Sequence, residues 1–75
     1  MTTSPARIAL IGTGWWATEH HIPALLVHPN AELVALCDAD LAKAQQTAHA
    51  YGIPNAYASV DDLLANEQLD GAIVV

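Results

Sequence analysis

Short apolar runs separated by polar turns divide the chain into alternating strand and helix segments. Arg7–Ile11 is apolar on both faces, as buried parallel strands are, and Glu32–Cys37 forms a second run of the same kind. Asn55–Ala58 predicts a short third strand, and Asp70–Val75 predicts a fourth of the buried type. The pattern therefore indicates strands that lie within a sheet.

Helix signals occupy the segments between these strands. Trp15–Glu19 predicts a first helical turn, and Pro23 predicts a kink before a second piece over Ala24–Val27, because proline donates no backbone hydrogen bond. The clearest helix follows the N-cap residue Asp40 and ends at Gly52. One face of this helix carries apolar residues at helical spacing, namely Leu41, Ala44, Ala48 and Tyr51.

The last helix is predicted from a capping signal. Ser59–Asp62 resembles a capping box, with aspartate in place of the usual glutamate, and precedes Leu63 and Leu64. Strands and helices thus alternate along the chain with short connections. This order predicts an α/β fold in which helices cover a parallel sheet.

Composition and charge narrow the class of protein. Of the 75 residues, 53% are hydrophobic and 13% are charged, which is too apolar for a disordered tail. The formal net charge of -6 disfavours binding to nucleic acid. No apolar run approaches the roughly 20 residues of a membrane span. No signal or transit peptide is evident, so we expect a cytoplasmic protein without membrane contact.

A glycine-rich turn follows the first strand. The segment Gly12-Thr-Gly-Trp-Trp-Ala17 fits the pattern G-x-G-x-x-G/A between a buried strand and a helix start. Gly12 permits the tight turn, and Gly14 lets a pyrophosphate approach the backbone beside the helix N-terminus. The predicted cofactor-binding residues of this turn are Gly12, Thr13, Gly14, Trp15 and Trp16. We expect one tryptophan to face the cofactor and the other to pack, and the sequence does not decide which.

Asp38 ends the second strand, at the position of the acid that binds the adenosine ribose in dinucleotide-binding folds. It lies 26 positions after Gly12. The usual spacing is about 20, and the helix interrupted by Pro23 accounts for the excess. A carboxylate here accepts hydrogen bonds from ribose hydroxyls and repels a 2′-phosphate, and Ala39 follows it in place of an arginine. NAD is therefore favoured over NADP, with Lys43 the one nearby cation that opposes this preference.

Each of these signals has a plainer interpretation when taken alone. The two glycines also fit an ordinary strand-to-helix turn, and Asp38 also fits a loop acid or a further helix cap. A methyltransferase shares the topology but generally has another glycine soon after Gly14. A P-loop requires a Gly-Lys-Ser/Thr sequence, which does not follow. The order and context of the signals together favour dinucleotide binding.

The remaining chemistry-bearing residues predict no metal site and no catalytic group. His20 and His21 are adjacent, so on a helix their side chains point about 100° apart. His28 and His49 also have no metal-ligating residue at closing spacing. Cys37 is the only cysteine, so it forms no internal disulfide, and we predict that it is a small core residue.

Several segments together resemble the N-terminal half of the Gfo/Idh/MocA oxidoreductases, the relatives of glucose–fructose oxidoreductase and inositol dehydrogenase. The resembling segments are Arg7–Ala17, His21–Leu25, Ala31–Asp40, Tyr57–Leu64 and Leu69–Val75. The resemblance implies a Rossmann-type parallel sheet with helices on both faces, truncated after about the fourth strand. It also implies a nicotinamide cofactor and hydride transfer at a sugar-like hydroxyl or carbonyl.

In that family the catalytic lysine follows the fifth strand and a histidine lies in a second domain, so both are expected beyond Val75. Lys43 lies on a different helix and does not correspond to that lysine. Residues 1–75 are thus expected to be the N-terminal part of an NAD(P)-binding Rossmann domain, without the substrate domain and inactive alone. We expect the full-length form to bind the small-molecule substrate and to be a homo-oligomer.

The alternative is a small, non-catalytic module that senses a dinucleotide or mediates an interaction, and that a partner chain completes. In that interpretation Ala72–Val75 would be an exposed apolar sheet edge. Such edges favour aggregation, which is an argument against a module that ends at Val75.

Overall fold

The computed structural model describes residues 5–14 and 20–75. It contains strands β1 (Ala6–Ile11), β2 (Ala31–Cys37), β3 (Asn55–Tyr57) and β4 (Gly71–Val74), and helices α1 (Ile22–Val27), α2 (Leu41–Tyr51) and α3 (Val60–Asn66). No helix in the two described ranges is long and apolar enough to cross a membrane. The four strands form one parallel sheet in the order β3-β2-β1-β4. This order confirms the predicted α/β fold with a Rossmann-type sheet.

The helix ends have the caps that the sequence predicts. At the start of α2 the Asp40 side chain accepts a hydrogen bond from the Lys43 backbone N–H at 3.2 Å. Gly52 ends this helix in the left-handed conformation, with φ of 71°. The Ser59 hydroxyl oxygen accepts a hydrogen bond from the Asp62 N–H at 3.1 Å at the start of α3. Because first-turn N–H groups have no partner within the helix, these caps fix where α2 and α3 begin.

Pro23 lies in the first turn of α1, one position after the helix begins. Directly before α1, His20 and His21 form a wider π-type turn. α1 begins at Ile22, two residues before the second helical piece that the sequence predicts. The first helical turn predicted over Trp15–Glu19 lies outside the described residues.

Two apolar clusters cover the two faces of the sheet. The first joins α1 and α2 to the sheet and consists of Leu10, Ile22, Leu33, Leu36, Ala48 and Ile53. The second joins α3 to the opposite face, and consists of Ala9, Val34, Ala35, Cys37 and Leu63. Helices therefore lie on both faces, as the sequence predicts.

A β-bulge in β2 interrupts the alternation of its side chains. Ile8 of β1 pairs with Leu33, whereas the next residue, Ala9, pairs with Ala35. Val34 is the additional residue, and Val34 and Ala35 consequently both belong to the cluster under α3. The bulge lets β2 contribute apolar residues to both faces without strict alternation.

β4 forms the apolar edge of the sheet. Ile73 packs against the cluster under α1 and α2. Ala72 and Val74 point to the other face and are exposed, Val74 to 75%. Among the described residues, α3 has its main contacts with β2 and β3. Ala72 and Val74 are thus exposed apolar residues on this face of the described sheet.

Glu67, directly after α3, makes a buried polar contact between this helix and the sheet. Its side chain is 6% exposed. It accepts hydrogen bonds from the Arg7 guanidinium at 3.2 Å, from the Asn55 amide at 2.9 Å and from the Tyr57 hydroxyl. Arg7 Nε also donates to the Gln68 carbonyl at 2.7 Å. The carboxylate therefore ties the end of α3 to β1 and β3.

Replacing Glu67 by alanine is expected to lower the free energy of unfolding by about 2 to 3 kcal/mol, because its donors lose a charged acceptor that is mostly buried. Urea unfolding measures this loss. Asp61, an exposed carboxylate in the first turn of α3, provides the matched control. Asp61→Ala is expected to cost less than about 1 kcal/mol. Equal losses for the two variants would contradict the assigned role of Glu67.

Candidate functional site

An open cleft lies at the carboxyl edge of the sheet, beyond the ends of the parallel strands. Its volume is about 290 Å³. The cleft is lined by residues that include Ile11, Gly12, Cys37, Asp38, Ala39, Ala58, Ser59, Val60 and Val75. Open α/β sheets bind their ligands outside the carboxyl ends of the strands. The position is therefore that of a binding site, and the volume suits one part of a large ligand.

Backbone hydrogen bonds hold the strand ends together around this cleft. Each bond continues the pairing of two strands into the residues that follow them. The bonds join Gly12 N to Cys37 O at 2.7 Å, Asp38 N to Tyr57 O at 3.0 Å, and Val75 N to Ile11 O at 2.9 Å. The first loop residues after β1 and β2 are consequently fixed by the sheet itself.

Gly12 makes the tight turn that the sequence predicts. Its φ is +101°, a conformation that residues with a side chain rarely adopt. A Cβ at this position would lie 3.0 Å from the carbonyl oxygen of Val75. Both the backbone conformation and the approach of the chain after β4 therefore require glycine here.

Unlike Gly12, Gly14 does not have a positive φ. A Cβ added at Gly14 would meet no described atom within 4 Å. The described residues thus leave open space beside this part of the backbone. A pyrophosphate needs such space to approach the backbone as predicted. Trp15 and Trp16, which the sequence also predicts to contact the cofactor, lie outside the described residues.

Three protein donors hold the Asp38 carboxylate at the edge of the cleft. Oδ2 accepts hydrogen bonds from the Thr13 backbone N–H at 2.9 Å and from the Thr13 hydroxyl at 2.7 Å. Oδ1 accepts one from the Asp40 N–H at 2.9 Å. A carboxylate has about four acceptor sites. The donors among the described residues occupy three of these, so one site at Oδ1 remains for a further donor.

These bonds keep Asp38 ionised. The Asp40 N–H has the largest effect, and together with the hydroxyl and N–H of Thr13 it lowers the pKa of the carboxyl from 3.8 to about 2. Burial raises the pKa, and the charge of Lys43 makes the smallest contribution to lowering it. The cleft therefore carries a fixed negative charge at neutral pH.

This ionisation predicts an acid-dependent part of the stability. The folded-state pKa of Asp38 lies below its ordinary value, so its stabilisation is fully present above about pH 4 and is lost as the pH falls towards 2. Asp38→Asn lacks this titration. The stability difference between wild type and Asp38→Asn is thus expected to shrink between about pH 5 and about pH 2.5. Urea unfolding across this range measures it, and a constant difference would contradict the assignment.

Thr13 lies behind the carboxylate and not in the open cleft. The residue is 2% exposed, and its hydroxyl donates to Asp38. The sequence predicts Thr13 as a cofactor contact. The structure brings Gly12, Thr13 and Asp38 together and places the Thr13 hydroxyl on Asp38. Two features of the sequence indicate this contact. A residue with a hydroxyl group lies between the two glycines, and an acidic residue ends the neighbouring strand.

Cys37, the cysteine beside Asp38, is part of the apolar core. Cys37 is 3% exposed and belongs to the cluster under α3. Burial, followed by the charges of Asp38 and Asp62, raises the pKa of its thiol, which keeps it protonated. Within the described part of the chain, no group of three or more His, Cys, Asp or Glu residues is placed to hold a metal ion.

Known proteins share both the sequence pattern and the fold. Residues 6–75 match the GFO_IDH_MocA family, which is described as an oxidoreductase family with an NAD-binding Rossmann fold. An uncharacterised oxidoreductase of Synechocystis sp. is 37% identical over 75 residues, which are 99% of this chain and 20% of that protein. A D-xylose 1-dehydrogenase [NADP(+)] of Haloarcula marismortui is 40% identical over 47 residues, which are 63% of this chain and 13% of that protein.

A solved structure has the same arrangement of strands and helices. The WlbA dehydrogenase of Chromobacterium violaceum, in complex with NADH and UDP-GlcNAcA, matches with a TM-score of 0.86 and 34% identity. The match covers 100% of this chain and 21% of that chain. The chain thus spans about a fifth or less of the length of these relatives. The protein belongs to the GFO_IDH_MocA family of oxidoreductases, because its residues 6–75 match the Rossmann fold by which that family is described.

Proposed function

We propose that the cleft binds the adenosine half of NAD, with Asp38 accepting hydrogen bonds from the ribose hydroxyls. The observation that carries this proposal is an ionised carboxylate at the end of β2, with one acceptor site at Oδ1 that the described residues leave open. Ribose hydroxyls are donors and the carboxylate is an acceptor, so the chemistry of the two groups is complementary. Ala39, Ala58 and Val60 provide an apolar wall for the adenine ring.

The glycine turn forms the neighbouring part of the same site. Gly12 fixes the turn, and Gly14 leaves the space in which the pyrophosphate approaches the backbone. In this proposal Thr13 belongs to the cofactor-binding loop, and Trp15 and Trp16 continue it. No residue of this chain is assigned to proton transfer or to metal binding.

NAD is proposed as the preferred cofactor over NADP. The fixed charge of Asp38 repels the 2′-phosphate that distinguishes NADP, and Ala39 supplies no compensating cation. Lys43 is the nearby cation that opposes this preference, and its charge makes the smallest contribution to lowering the pKa of Asp38. The Haloarcula relative is named as an NADP-dependent enzyme, so a preference for NADP is the alternative.

In the whole protein this cofactor serves the oxidation or reduction of a sugar-like substrate. The nicotinamide supplies the hydride acceptor or donor when bound. Two relatives support the substrate class, because one is named a D-xylose dehydrogenase and another was solved with UDP-GlcNAcA. Residues 1–75 contribute the N-terminal part of the NAD(P)-binding domain in this proposal. The proposal also includes a cytoplasmic, homo-oligomeric full-length protein with a separate substrate domain.

Calorimetric titration of the natural protein with NAD and with NADP tests the cofactor proposal. NAD is expected to bind at least about tenfold more tightly, which corresponds to about 1.4 kcal/mol. Equal affinities, or tighter binding of NADP, would contradict the role given to the Asp38 charge. Absence of binding by both dinucleotides would contradict the proposed site altogether.

The hydride step has its own test. The natural protein is mixed with NAD and a panel of aldoses, polyols and sugar nucleotides, and NADH formation is followed by its absorbance. Sugar-dependent NADH formation is the expected result. Tight NAD binding combined with turnover only on substrates that are not sugar-like would contradict the proposed substrate class and leave the cofactor site intact.

A further inference from the structure

Thr13 makes two hydrogen bonds to the same oxygen of Asp38. Its backbone N–H lies 2.9 Å from Oδ2 and its hydroxyl lies 2.7 Å from Oδ2. The hydroxyl must be the donor in the second bond, because an ionised carboxylate only accepts. Together the bonds connect the loop after β1 to the end of β2, across 25 positions of sequence. The turn at Gly12 does not itself require this hydroxyl.

We propose that Thr13 is a positioning residue that sets the preference for NAD over NADP by fixing the Asp38 carboxylate before the cofactor binds. The inference rests on the proposed function, because it takes Asp38 as the residue that binds the ribose. It assigns to the Thr13 side chain an action through Asp38 and no contact with the cofactor.

The geometry supports this role because a free carboxylate rotates easily about its last torsion angle. In this site Thr13 holds Oδ2 and Asp40 holds Oδ1, so the plane of the carboxylate is fixed. Because the plane is fixed, the remaining acceptor site of Oδ1 points in one fixed direction. Binding of a ribose hydroxyl to a fixed carboxylate costs less free energy than binding to a rotating one, because the carboxylate is already ordered.

The burial of Thr13 makes the arrangement rigid. The residue is 2% exposed, so water does not replace its hydroxyl easily. A carboxylate held in this way cannot turn away from a 2′-phosphate, so the repulsion of NADP is maintained.

Removing the hydroxyl is therefore expected to affect the two cofactors unequally. Thr13→Val is expected to weaken NAD binding about three- to tenfold, through loss of one charge-assisted hydrogen bond that orients the carboxylate. NADP binding is expected to change less than about twofold, because the freed carboxylate also relaxes away from the phosphate. Thr13→Ser keeps the donor and is expected to remain close to wild type.

A double-mutant cycle on the natural protein tests this inference. The dissociation constants of NAD and NADP are measured for wild type, Thr13→Val, Asp38→Ala and the double variant. We expect Thr13→Val to have no further effect on NAD once Asp38 is alanine. Additive effects would mean that Thr13 acts on the cofactor directly, and they would overturn the inference. Thr13→Ala removes the same hydroxyl without adding a methyl group, and it must reproduce the loss of selectivity.

A cofactor-free readout separates the Thr13 inference from the proposed function. NMR titration of the Asp38 carboxyl carbon is expected to show a higher midpoint in Thr13→Val than in wild type, and an unchanged midpoint would overturn the inference. If Asp38→Ala leaves both affinities unchanged, the proposed function fails. If Asp38→Ala removes the selectivity and Thr13→Val does not alter it, the Thr13 inference alone fails.

Discussion

Asp38→Ala is expected to weaken NAD binding about ten- to a hundredfold, because the ribose loses hydrogen bonds to a charged acceptor. NADP binding is expected to fall much less, since the substitution also removes the repulsion of the 2′-phosphate. Titration of each variant with both dinucleotides measures the two effects. The ratio of the two dissociation constants is therefore the informative quantity.

Asp70 provides the matched control for this substitution. It is an exposed aspartate directly before β4, at the amino edge of the sheet, and it accepts a hydrogen bond from the Arg7 N–H at 2.7 Å. Asp70→Ala is expected to leave both dissociation constants unchanged. If Asp38→Ala weakened the binding of NAD and of NADP by the same factor, Asp38 would not be the residue that binds the ribose.

Gly12→Ala is expected to destabilise the fold by about 2 to 4 kcal/mol, through a strained backbone and a tight contact with the backbone that follows β4. The φ of Gly12 is +101°, and the added Cβ would lie 3.0 Å from the Val75 carbonyl oxygen. That oxygen belongs to backbone, so it cannot move aside as a flexible side chain would. Thermal or urea unfolding of the purified variant measures the loss.

Gly14→Ala separates the two glycines of the same loop. Its Cβ would meet no described atom within 4 Å, so the free energy of unfolding is expected to change by less than about 0.5 kcal/mol. NAD binding is nevertheless expected to weaken at least about tenfold, because the methyl group occupies the space into which the pyrophosphate comes. A Gly14→Ala variant that bound NAD like wild type would remove the glycine turn from the proposed site.

Local signals predicted most of the fold, because each depends on residues close together in sequence. Asp40 and Gly52 bound α2 through a cap and a left-handed turn that a few neighbouring residues determine. The bulge at Val34 was not predictable in this way, because it depends on the register between β1 and β2. The Arg7–Glu67 ion pair joins residues 60 positions apart, and no local pattern indicates it.

The candidate site was predictable to a similar degree. Asp38 follows a strand and precedes a helix, so the pattern alone placed it at the carboxyl edge of the sheet. The wall formed by Ala58 and Val60 depends on β3 lying beside β2, which only the sheet order establishes. The contact from the Thr13 hydroxyl to Asp38 likewise depends on the exact approach of two strand ends.

A crystal structure of the natural protein with bound NAD tests the central claim most directly. The proposed site predicts adenosine in the cleft, with a ribose hydroxyl about 2.6 to 3.2 Å from Asp38 Oδ1. It also predicts that the Thr13 hydroxyl still donates to Asp38 Oδ2 and that the pyrophosphate lies beside Gly14. Adenosine bound outside this cleft, or a ribose without contact to Asp38, would contradict the account.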